Sequence, residues 1–132
     1  MIPEVSLIIS VFNQLDYTKR CLSCIEKTLK GKITYEVLIV DDGSKEETIN
    51  YLRSLEDPHY VTFNAESRGF AKNNNLASSQ ARGEYLCLLN NDIFVEGDWL
   101  RPMIKVCLLY TSQSPRDRQK SRIGWLSWKK KR

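Results

Sequence analysis

Histidine is nearly missing: His59 stands alone in 132 residues. Zinc is held by four ligands drawn mostly from Cys and His. Four cysteines occur, Cys21, Cys24, Cys87 and Cys107. Cys21 and Cys24 form a C-x-x-C, but no second pair follows to complete a zinc site. The pair falls inside a helical pattern and Cys87 inside an apolar strand pattern, so reduced packing cysteines are expected. No run approaches the roughly 20 apolar residues of a membrane span. The first ten residues lack the basic n-region of a signal peptide. The expected location is therefore the cytoplasm.

What is present fits one folded domain. The chain is 42% hydrophobic and 27% charged, with a formal net charge of +4. That charge is unevenly placed. Residues 107–132 hold eight Lys or Arg and one acid, which leaves 12 basic and 15 acidic residues in 1–106. The body is mildly acidic, and nothing in it suggests nucleic-acid binding.

The organising stretch is Val37-Leu38-Ile39-Val40-Asp41-Asp42-Gly43-Ser44. Its short, β-branched apolar run suits a strand buried on both faces of a parallel sheet. Asp41 and Asp42 then fall at its carboxyl end, the edge where open α/β sheets bind ligands. Gly43 permits a sharp turn there. Ser44 with Glu47 reads as a capping box that opens a helix. Tyr85 to Leu89 followed by Asn90-Asn91-Asp92 repeats the same form.

Along the chain, Val5–Val11 reads as a buried strand. Leu15, Leu22, Ile25 and Leu29 then mark a helix from Gln14 to Lys30, stopped at Gly31. Strand 36–41 follows, then a helix from Lys45 to Glu56 that Pro58 breaks. His59 to Asn64 is a short strand. Gly69 opens a helix that runs to about Ala81. Glu84 to Leu89 is a fourth strand, and Asp98 caps a last helix from Trp99 to Val106. The βαβαβαβα alternation with short connections predicts an α/β fold, a Rossmann-like parallel sheet with helices on both faces.

The sheet edge thus collects Asn13, Asp41, Asp42, Asn90, Asn91 and Asp92. Carboxylates at strand ends can hold a hard divalent cation, which typically takes one or two of them and leaves the rest to water and phosphates. Asp42 can instead accept hydrogen bonds from a nucleobase or ribose. Each motif also has a plain structural reading: Asp-Asp-Gly-Ser is a good turn and helix start, and Asn-Asn-Asp a turn.

Ser6 to Asn13, Val37 to Ser44, Gly69-Phe70-Ala71 with Asn74-Asn75, and Leu88 to Asp92 together resemble family 2 glycosyltransferases of the GT-A fold. The resemblance covers about residues 4–106. It implies the N-terminal, nucleotide-sugar-binding half of that fold, for an enzyme that moves a sugar from a nucleotide-diphosphate donor to an acceptor hydroxyl, usually with inversion. It implies nucleotide-binding roles for Val11, Phe12, Asn13, Asp41, Asp42, Gly69, Asn74, Asn90 and Asn91. Asp92 would hold a divalent metal, Mn or Mg, that bridges the donor diphosphate. The first position of the family's D-x-D is Asn90 here, which leaves Asp92 as the main protein ligand. Asn74 stands where some members carry an arginine.

The resemblance also implies an acceptor-binding half with a catalytic Asp or Glu base, expected after Val106 and not found there. The chain alone is then expected to be inactive. The parent protein's location would extend to the inner face of the membrane if it is anchored there. Two other readings differ in class. One is a non-catalytic α/β module that binds a nucleotide or a partner. The other, a receiver-type signalling domain, needs an acidic pair after the first strand, where this chain has Val11-Phe12-Asn13.

After Val106 the pattern changes. Cys107 to Arg132 shows no sustained periodicity and ends in Lys129-Lys130-Lys131-Arg132. A solvated basic tail is one reading. The other is that Cys-Leu-Leu-Tyr-Thr-Ser and the residues after it resemble a translated sequencing adapter, which makes 107–132 a non-native tail.

Overall fold

Four runs become parallel strands, three of them buried on both faces at once and the fourth a half-buried edge. They are β1 (Val5–Val11), β2 (Tyr35–Asp41), β3 (His59–Phe63) and β4 (Tyr85–Asn90). The computed structural model describes residues 2–103 and the backbone of 127–130. Between the strands lie α1 (Leu15–Leu29), α2 (Glu46–Arg53) and α3 (Phe70–Gln80). The strands stand in the order β3-β2-β1-β4. Helix α2 stops at Arg53, three residues before its expected end. Residues 100–103 are helical, and the remainder of the expected last helix, 104–106, lies outside the described residues.

Side chains alternate across the sheet with period 2. On one face Leu7, Ile9, Val37, Ile39, Cys87 and Leu89 pack under Leu22, Ile25 and Leu29 of α1 and Leu52 of α2. On the other, Ile8, Leu38, Val40 and Leu86 meet Ala77 of α3 and Ala81 just beyond it. The small alanines let α3 lie close to the sheet.

That second face also carries a buried polar group. Glu36, in β2, is 2% exposed. It accepts the Ser6 hydroxyl at 2.6 Å, the Arg82 main-chain N–H at 2.8 Å and Arg82 Nε at 3.0 Å. Ser6 in turn accepts the Gly83 N–H at 2.8 Å. A Cβ at Gly83 would lie 2.6 Å from the Ser6 main-chain nitrogen, so only glycine allows this approach. The knot pins the end of α3 to β1 and β2, at the sheet edge away from the acidic turns.

The tail supplies one element with no periodic signal in its sequence. β5 (Ser127–Lys130) pairs antiparallel with β4, with Leu88 opposite Ser127 and Tyr85 opposite Lys130. Without it β4 would present an unpaired edge of N–H and C=O groups. The sheet is therefore parallel over four strands and mixed at that edge. The rest of the expected non-native tail, 107–126 and 131–132, lies outside the described residues.

Candidate functional site

The strand order runs outward from β1 to β2 and β3, then reverses to β4. The switch point lies between β1 and β4, and open α/β sheets bind ligands beyond the carboxyl ends of the strands there. The register sets which residues meet. Ser10 lies opposite both Val40 and Asn90, and Val11 lies opposite Asp41. The ends of β1, β2 and β4 therefore finish level.

Asn13 leaves β1 with a left-handed backbone, φ 56°. Its N–H donates to the Ser44 hydroxyl at 2.7 Å, and its side-chain oxygen accepts the Lys45 N–H at 2.8 Å. The Ser44 hydroxyl thus ties two strand ends together and does not form the expected capping box. Helix α2 starts at Glu46, with Lys45 at its N-cap and no side-chain cap. A long-range partner outcompetes the local one.

Asp41 is fully buried. Its Oδ2 accepts the Gly43 and Ser44 N–H groups at 3.3 and 3.1 Å, while Oδ1 has no hydrogen-bond partner. Val11 is equally buried, and its carbonyl accepts the Asp42 N–H at 2.8 Å. Both side chains stand behind the edge and shape it from within. Phe12, by contrast, is 55% exposed on it.

Asp42 is engaged throughout. Oδ1 accepts the Arg68 N–H at 2.7 Å and Asn64 Nδ2 at 3.2 Å. Oδ2 accepts the Ser67 hydroxyl at 2.7 Å and the Gly69 N–H at 3.2 Å. Burial disfavours its ionised form, but the hydrogen bonds from Arg68, Ser67 and Asn64 outweigh that and hold its carboxyl well below the usual range. Gly43 turns beneath this loop at φ 90°; a Cβ there would meet Ser67 N at an ordinary 3.6 Å, so the backbone conformation, not lack of space, calls for glycine.

Asn73 and Asn74 are both buried on α3. Asn73 accepts Asn64 Nδ2 at 2.8 Å and donates to the Ser10 hydroxyl at 3.0 Å. Ser10, Asn64, Ser67, Arg68 and Asn73 went unassigned in the sequence reading. Asn64, a polar residue directly after an apolar strand, was the one local sign of this network.

After β4 the chain turns, with the Asn90 carbonyl accepting the Ile93 N–H at 3.3 Å and the buried Cys21 thiol at 3.9 Å. Burial pushes that thiol up to about 12, with Cys24 and Asp92 adding to the effect. Asn91 donates to the Thr18 hydroxyl of α1 at 3.1 Å, which anchors the turn. Asp92 is exposed. Among the described residues no group of three His, Cys, Asp or Glu could hold a metal alone. One free carboxylate at the edge fits instead a hard cation that takes most of its oxygens from phosphates and water.

Residues 6–108 match the profile of the family described as Glycosyl transferase family 2. The chain is 30% identical over 102 residues to glycosyltransferase AglE of Haloferax volcanii, covering 75% of this chain and 34% of that one. Among solved structures it resembles the mannosyltransferase PcManGT from Pyrobaculum calidifontis in complex with GDP-Man and Mn2+. That match has a TM-score of 0.61 at 24% identity, over 70% of this chain and 28% of that one. It also resembles S. aureus TarS 1-349 in complex with UDP, with a TM-score of 0.69 at 22% identity, over 82% and 33% of the two chains. The chain spans about a third of each. The structural likeness confirms the expected fold, and the profile covers every strand that builds the switch point. This chain is a member of glycosyl transferase family 2.

Proposed function

We propose that this chain forms the donor-binding part of a glycosyltransferase that takes a nucleotide-diphosphate sugar. The observation that carries this is the level finish of β1, β2 and β4 at the switch point, which gathers the residues after Val11, Asp41 and Asn90 at one sheet edge. Exposed Phe12 offers a face for the nucleobase, and Asn13, Gly69 and Asn90 offer polar groups around the nucleotide. Val11, Asp41, Asn74 and Asn91 support that surface from behind. The GDP-Man and Mn2+ of the Pyrobaculum neighbour and the UDP of TarS support a donor of this class.

Asp92 would hold Mn2+ or Mg2+, and the Asn90 side chain could supply a neutral oxygen from the same turn. When bound, the metal neutralises charge on the leaving diphosphate. Transfer with inversion needs a base within hydrogen-bond reach of an acceptor hydroxyl. We place that base, the acceptor site and any membrane association outside the described residues, and the described part is proposed to bind donor without turning it over. Among the described residues no helix is long and apolar enough to cross a membrane, and we place donor binding on the cytoplasmic side. Isothermal titration of the full chain with UDP, GDP and dTDP in the presence of Mn2+ tests the reading. Saturable binding of at least one supports it, and no binding by a folded sample moves the non-catalytic module ahead.

A further inference from the structure

We infer that the cleft at the amino ends of β1, β2 and β3 binds an uncharged oligosaccharide, at the end of the sheet opposite the donor edge. The cleft has a volume of about 580 Å³, the size of a small-molecule site. It bends round the end of the sheet. Tyr35 borders it on the α1 side, where it packs against the core under that helix. Tyr60 borders it on the other side, because its register partner Leu38 faces α3, as does Glu36 two residues earlier. Strand β2 runs seven residues from here to Asp41, a span of about 20 Å. A saccharide held here is clear of the reacting sugar, so the cleft anchors a chain and does not position the reacting hydroxyl.

The chemistry of the lining selects the ligand. A pyranose ring has apolar C–H faces and a rim of hydroxyls that both donate and accept. Tyr60 is 43% exposed and offers its ring to such a face. Its hydroxyl donates to Asp57 Oδ1 at 2.7 Å, and the Arg82 guanidinium lies 5.5 Å from its ring centre. The ring is thus held in place before a ligand arrives, which removes an ordering cost from binding. Arg82 is itself fixed, with Nε and Nη2 each 3.0 Å from Glu36 Oε1. A guanidinium has five N–H donors, so Arg82 keeps others for a hydroxyl. The carboxylates of Asp57 and Glu26 supply acceptors. Two cations, Lys30 and Arg82, stand against three carboxylates, Glu26, Glu36 and Asp57. Lys30 pairs with Glu26 at 3.6 Å. No excess of positive charge draws a phosphate, a sulfate or a uronic acid to this cleft.

Amide chemical-shift mapping by NMR on the full chain tests it. The neutral probes are chitotetraose, cellotetraose and maltotetraose, and tetragalacturonate is the anionic one. The amides of Gly31, Thr34, Asp57 and Tyr60 are expected to shift saturably with at least one neutral probe and not with the anionic one. Tyr60→Ala is expected to weaken that binding on the order of ten-fold, and Tyr60→Phe to keep most of it. The proposal is overturned if no neutral probe shifts those amides saturably, or if tetragalacturonate binds there as tightly. Shifts confined to the amides of Gly43 and Asp92, at the other end of the sheet, overturn it too, as does full affinity in Tyr60→Ala. Mapping on the wild-type chain decides the question even if Tyr60→Ala does not fold. Nucleotide binding is read at Gly43 and Asp92, so the donor-site reading and this one fail separately.

Discussion

The main-chain N–H of Asn13 donates to the hydroxyl of Ser44, 31 residues later, at 2.7 Å. Asn13 sits in a left-handed conformation and Ser44 is 8% exposed. The bond therefore holds a strained turn against a fixed loop. Ser44→Ala leaves the Asn13 N–H without its acceptor, and a loss of about 1–3 kcal/mol is expected. Urea unfolding followed by circular dichroism measures it. A midpoint equal to wild type would mean that water replaces the hydroxyl at no cost.

Gly83→Ala places a methyl group 2.6 Å from the Ser6 main-chain nitrogen. A backbone atom cannot swing aside as a flexible side chain can. The expected loss is about 1–3 kcal/mol or more, seen as a lower thermal midpoint. Unchanged stability would show that the strand and the end of α3 separate freely.

Acid sensitivity follows from two carboxyls. Burial works against the ionised form of Glu36, yet the Arg82 N–H, the Ser6 hydroxyl and the Arg82 guanidinium outweigh it and keep its carboxyl below the ordinary 4.5. Asp42 is depressed in the same direction from 3.8. A group depressed on folding contributes stability above its unfolded value, lost as pH falls through its folded one. Stability should thus decline from about pH 4.5 downward. Glu36→Gln is expected to lower stability at pH 7 by about 1–3 kcal/mol, because it leaves buried donors mismatched. It should also flatten the decline. Urea titrations between pH 3 and 7 compare the two slopes, and parallel curves would contradict the assignment to Glu36.

Thiol chemistry separates the C-x-x-C pair. Cys21 is buried and raised to about 12, and burial also pushes the Cys87 thiol up strongly. The thiolate is the reactive form. A short iodoacetamide pulse at pH 8, mapped by mass spectrometry, should modify half-buried Cys24 and leave Cys21 and Cys87 intact until urea is added. Rapid labelling of Cys21 would mean that the turn after β4 opens readily.

The strands and the acidic edge were legible because the information is local. An apolar run ending in Asp41-Asp42 declares a buried strand and its carboxyl end within eight residues. Partners set by folding were not legible. Ser44 and Glu47 have the spacing of a capping box, and nothing nearby shows that Asn13 will claim the hydroxyl. Asp42 was visible as a ligand-facing acid, but its four donors lie 22 to 27 residues on. Glu36 left a readable sign, a lone carboxylate inside a strand buried on both faces, and such a charge requires a partner. The partner, Arg82, is 46 residues away.

The most direct test of the donor site is nucleotide titration of the full chain with and without Mn2+, beside Asp92→Ala. The best-binding nucleotide diphosphate is expected to need both the metal and the Asp92 carboxylate, with affinity falling at least ten-fold when either is removed. Binding of equal strength in Asp92→Ala, or without metal, would contradict the placement of the donor diphosphate at the end of β4.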